Sequence, residues 1–66
     1  MAFSEGDLVV ATIYTNAEKS AFTTELARVR RILPDGSGAV VRVVGLNHKS
    51  PYWGMALPLK WEQLSE

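Results

Sequence analysis

Glu25-Leu-Ala-Arg-Val-Arg-Arg-Ile-Leu33, then Pro34-Asp35-Gly36-Ser37-Gly38, then Ala39-Val-Val-Arg-Val-Val44: this stretch decides the fold. Both flanks are rich in β-branched residues, and the segment between them consists of turn formers. It reads as two strands joined by a tight turn, with Asp35-Gly36 supplying the left-handed residue such a hairpin needs. Alternation then sorts the side chains. Ala27, Val29 and, after a bulge at Arg30-Arg31, Ile32 are expected to face inward, as are Ala39, Val41 and Val43. Arg28, Arg30 and Arg42 are expected to face outward, with Val40 and Val44 beside Arg42.

Working outward, Gly6-Asp7 is a turn and Leu8-Val-Val-Ala-Thr-Ile-Tyr14 a strand. That strand is apolar on both sides: Leu8, Val10 and Tyr14 on one, Val9, Ala11 and Ile13 on the other. Either strong curling covers both faces or the second face meets another protein. Residues 15–24 form a polar loop around Phe22, too short for a stable helix. On the other side, Leu46 to Gly54 is a second loop, broken by Pro51. Met55 to Pro58 is a short strand that Pro58 ends or confines to an edge. Leu59 to Leu64 has room for one helical or 3-10 turn, which sets Trp61 and Leu64 on one side to plug the end of a barrel.

The 66 residues are read as a single domain, 1–66, with a small core. A hydrophobic fraction of 47% suits a folded globule and argues against disorder. With no cysteine there is no disulfide and no thiolate nucleophile or ligand, and the lone His48 builds no metal site. No signal peptide or membrane-spanning run is read, and the expected location is cytoplasmic. Net charge is zero but unevenly placed. Residues 1–27 carry Glu5, Asp7, Glu18 and Glu25 against Lys19, a net of −3. Residues 28–60 carry Arg28, Arg30, Arg31, Arg42, Lys49 and Lys60 against Asp35, a net of +5. Such a chain can carry a basic face opposite an acidic one.

Three segments, Gly6-Asp7-Leu8-Val9-Val10-Ala11, Ala27-Arg28-Val29-Arg30-Arg31-Ile32 and Asp35-Gly36 with Val41-Arg42-Val43, carry a resemblance to the SH3-like small β-barrels. Within that group the pattern is closest to the Tudor-like barrels. The resemblance spans nearly the whole chain and implies an all-β fold: a five-stranded antiparallel barrel with a short helical or 3-10 turn near the C-terminus. Tudor readers carry aromatics near the end of the first strand and in a later loop, and Tyr14, Phe22, Tyr52 and Trp53 stand in such places. Peptide-binding SH3 domains carry an acidic, aromatic-rich first loop, whereas Glu18 is the only acid here. One SH3-like enzyme type builds its site by tetramerising around a Gln-Ile-Tyr stretch, which is absent.

The residues read as a binding module rather than an enzyme. No Ser-His-Asp order, phosphate-binding loop or metal cluster appears, so no catalytic residue, cofactor or metal is assigned. The first functional reading is a protein-binding module: a small subunit, adaptor or inhibitor of a larger bacterial or phage complex. Its contact residues would be Tyr52, Trp53, Val40, Val44 and Arg42, because Trp and Tyr dominate binding hot spots. Within the aromatic pair, Trp53 is expected in the core and Tyr52 partly exposed. The alternative is a nucleic-acid binder using Arg28, Arg30, Arg31, Arg42 and Lys49. Glu25 or Asp35 pairing across the sheet would instead make those arginines a plain solvated face. Homo-oligomerisation is a further possibility.

Overall fold

A computed structural model describes residues 3–45 and 48–66. The loop reading at Leu46 and Asn47, and the reading of the N-terminus at Met1 and Ala2, fall outside the described residues. Five antiparallel strands form one curled sheet, a half-barrel: β1 (Leu8–Tyr14), β2 (Phe22–Ile32), β3 (Gly38–Val43), β4 (Ala56–Lys60) and β5 (Leu64–Ser65). Their spatial order is β4-β3-β2-β1-β5. A 3-10 turn, Trp61–Gln63, links β4 to β5. Among the described residues no helix is long and apolar enough to cross a membrane.

The hairpin forms as the turn residues dictate. The Gly36 amide donates to the Leu33 carbonyl at 2.9 Å, with Pro34 and Asp35 between them. The Leu33 amide closes the loop onto the Gly38 carbonyl, also at 2.9 Å. Gly36 sits at φ +75, a region closed to most side chains. Asp35 accepts from the Ser37 amide at 3.0 Å and from the Ser37 hydroxyl at 2.7 Å. Those two donors hold its carboxyl below the usual carboxylate range, the amide contributing most.

Alternation along β1 is clean: Val9, Ala11 and Ile13 are buried. On the opposite face Val10, Thr12 and Tyr14 are half-buried and Leu8 is 49% exposed. Curling therefore covers that second face only in part. The core is completed by Ala27 and Val29, by Ala39, Val41 and Val43, and by Leu59 and Leu64. Small β-branched and alanine side chains suit a tightly curled sheet, whose inner face has little volume to fill.

β2 pairs with β3 through Val29↔Val41 and then Arg31↔Val40, so Arg30 is the extra residue of a bulge. Ile32 pairs with the buried Ala39, as expected for an inward residue, but it is 36% exposed. The reason is its place: β1 pairing stops at Leu8↔Arg28, and Ile32 lies past the end of that cover. Phe22 corrects a second expectation, since it begins β2 opposite Tyr14 rather than sitting in the loop, and is 62% exposed. β4 runs two residues beyond Pro58 to Lys60, at the outer edge of the sheet, where the missing amide of proline costs no ladder bond.

The 3-10 turn braces the hairpin. The Trp61 amide donates to the Ser37 carbonyl at 3.3 Å, and the Trp61 indole Nε1 donates to the Gly36 carbonyl at 2.8 Å. The Trp61 ring packs against Phe3, with centroids 6.5 Å apart. Trp61 is half-buried at this end rather than a deep plug, and Leu64 alone is fully inside.

Candidate functional site

The arginine face is built by strand register. Arg28 of β2 and Arg42 of β3 are direct cross-strand partners, so both guanidinium groups stand on the outer face side by side. Arg30 follows on the same face at the bulge. Like charges directly opposite on a sheet are unfavourable by a few tenths of a kcal/mol up to about 1. Such a local conflict is a marker of a site where another requirement wins.

Among the described residues no side-chain hydrogen bond or ion pair to an acid relieves the conflict. Arg28 Nη1 donates to the Gly6 carbonyl at 2.7 Å, which fixes its position without neutralising its charge. Among the described residues the side chains of Arg30 and Arg42 make no hydrogen bond or ion pair. The two acids that could have paired with them are engaged elsewhere. Glu25 Oε2 accepts from the Ser50 hydroxyl at 2.8 Å, and Asp35 is held by Ser37.

Beside the arginines the loop after β3 folds back. The Val43 amide donates to the Met55 carbonyl at 2.9 Å, and the Gly54 amide to the Val43 carbonyl at 3.0 Å. The bond between Ser50 and Glu25 pins the loop from below, and Tyr52 packs on the core. The result is an open concavity of about 460 Å³ lined by Arg28, Arg30, Arg42, Val43, Val44, Gly45, His48, Trp53 and Gly54. His48 lies against Trp53, with ring centroids 4.6 Å apart. The lining holds cations, two valines and an indole, and no carboxylate.

Three residues of each set read from the sequence line this one place. Trp53, Val44 and Arg42 of the protein-contact set line it, as do Arg28, Arg30 and Arg42 of the basic set. Arg31 and Lys49 are exposed outside it, and Val40 is half-buried away from it. Of the aromatic pair, Tyr52 is partly exposed as expected, but Trp53 is not in the core. Trp53 is 46% exposed, whereas Tyr52 is half-buried against the core. Alternation of neighbours holds for extended chain, but residues 51–54 form turns, with Trp53 N–H bonded to the Ser50 carbonyl and Met55 N–H to the Tyr52 carbonyl. His48, in the loop after β3, also lines the concavity and lies against Trp53. Among the described residues no ring contact joins Tyr14 or Phe22 to Tyr52 or Trp53, so these four do not form one aromatic cage.

Compared with family models, curated proteins and solved structures, the chain matches none of them. The assignment of a role therefore rests on the geometry of the concavity.

Proposed function

We propose that this chain is a non-enzymatic SH3-like barrel that binds nucleic acid through Arg28, Arg30 and Arg42. The barrel assignment is supported by the strand order β4-β3-β2-β1-β5, the tight turn between β2 and β3, and the 3-10 turn before the last short strand. The observation that carries the binding assignment is the cross-strand pair Arg28↔Arg42, with Arg30 adjacent and no acid in the lining. A polyanion satisfies these groups together and removes their mutual repulsion. Phosphates accept from guanidinium in a forked geometry, which makes arginine the natural residue for this task. Zero net charge does not oppose it, because the acids lie elsewhere in the chain and the local field is positive.

A second reading, a protein partner, is favoured by one observation. Leu8, Phe22, Leu26 and Val44 are exposed, and the first three share one outer face through the pairs Leu8↔Arg28, Val10↔Leu26 and Tyr14↔Phe22.

Fluorescence-anisotropy titration of labelled RNA, single-stranded DNA and duplex DNA separates the two. The nucleic-acid reading expects binding at low salt that weakens on a log–log plot with a slope of about −2 to −3, the value for roughly three phosphates. Absence of binding to all three at low salt removes it. The protein reading then stands if nuclease-treated lysate still yields a defined partner.

A further inference from the structure

We infer that the concavity is built for a single strand, with one base laid on the exposed face of Trp53 and its flanking phosphates on Arg30 and Arg42. This inference rests on the nucleic-acid reading above and adds which form of nucleic acid the site selects.

Three observations carry it. First, the lining is only half a phosphate site. Arg28, Arg30 and Arg42 provide the cations, but the exposed Val44 and Trp53 provide apolar surface that a phosphate backbone cannot use. A duplex presents its backbone and hides its base faces, so it would leave that surface in water. An unpaired base covers it. Second, Trp53 has little structural reason to be where it is. It is 46% exposed and its ring contact is the loop residue His48, while its neighbour Tyr52 does the packing against the core. A large aromatic held half in solvent beside cations is the arrangement by which single-strand binders stack a base. Third, the two guanidinium groups without partners among the described residues, Arg30 and Arg42, line the same concavity as the indole, while Arg28 is tethered to the Gly6 carbonyl. The molecule measures only 28 × 27 × 18 Å, so the site spans a few nucleotides.

The test uses the full chain and four probes: a short oligothymidylate, a duplex of equal length, an abasic oligomer of equal length and a polyglutamate peptide. The expected result is tightest binding to oligothymidylate, with the abasic oligomer and the duplex weaker. Trp53→Ala should weaken oligothymidylate binding roughly tenfold or more, the range for loss of one stacked base. It should leave the affinity for the abasic oligomer unchanged, and Trp53→Phe should restore most of the loss. Equal affinity for oligothymidylate and the abasic oligomer overturns the inference while leaving the nucleic-acid reading in place. Polyglutamate binding as tight as oligothymidylate also overturns it, in favour of an acidic protein segment. Failure of every nucleic acid to bind removes the underlying reading as well. The abasic comparison needs no variant, so the inference stays falsifiable even if Trp53→Ala loses stability.

Discussion

Trp61 and Trp53 are the same side chain in two settings, one at each end of the sheet. Trp61 is tied to the hairpin twice, through its amide to the Ser37 carbonyl and through its indole nitrogen to the Gly36 carbonyl, and it rests on Phe3. Trp53 makes none of these ties; its ring leans on His48 at the rim of a basic concavity. One end of the molecule thus spends its indole on holding the fold, and the other leaves its indole available. The difference teaches that a half-exposed tryptophan is informative only once its polar and packing partners have been traced. It also predicts that the two ends respond differently to substitution.

The largest effect is expected at the braced end, at Gly38. A Cβ there would overlap the Leu59 carbonyl oxygen and crowd Lys60 Cα at 2.7 Å, both of them backbone atoms of β4. Backbone cannot move aside as a side chain does, so Gly38→Ala should cost about 3 kcal/mol or more. In a domain this small, that loss is most of the total stability. Circular dichroism should find the variant largely unfolded at room temperature, and a parent-like melt would place β4 wrongly. Next comes the direct contrast. Trp61→Ala should destabilise by roughly 2–3 kcal/mol, somewhat under the cost for a fully buried aromatic, whereas Trp53→Ala should stay within about 0.5 kcal/mol of the parent. Equal losses in thermal unfolding would erase the distinction between the two ends.

Gly36→Val should cost about 1–2 kcal/mol, because a β-branched residue is forced to φ +75 although the space around it is open. An unchanged melt would mean that the turn relaxes to another type. Smaller still is the acid response of Asp35. Its carboxyl is held low by Ser37, so it contributes stability above its unfolded value and loses that contribution as pH falls through the folded value. Asp35→Asn should therefore be less stable than the parent at neutral pH, and the gap should close in melts taken under increasingly acid conditions. A gap that widens toward low pH would contradict the assignment.

How far the sequence could be read differs between these ends for physical reasons. The hairpin was legible because turn chemistry and two-residue periodicity are local. Asp35-Gly36, the bulge at Arg30 and the inward run Val9, Ala11, Ile13 all follow from near neighbours. The arginine face followed too, since register places Arg28 opposite Arg42 once the turn is known. Gly38 looked like one more turn glycine; its real constraint is the approach of β4, a contact made across 21 residues of chain by Leu59 and invisible to local patterning. In the aromatic loop residues 51–54 form turns, so strand alternation does not order Tyr52 and Trp53. The orientation of Trp53 is set by Tyr52 entering the core and by the bond between Ser50 and Glu25, which joins residues 25 apart. Tertiary contacts of that span decide loops more than propensity does.

Arg42→Gln, followed by a thermal melt and an oligothymidylate titration on the same sample, tests the central claim most directly. The account holds that Arg42 is a ligand-binding group whose charge works against the fold through its cross-strand neighbour Arg28. The variant should therefore melt at or slightly above the parent temperature, by a few tenths of a kcal/mol in stability, and should bind the oligonucleotide several-fold more weakly with a shallower salt dependence. A variant that melts clearly lower while binding as tightly as the parent would contradict the account, because Arg42 would then be serving the fold and not a ligand.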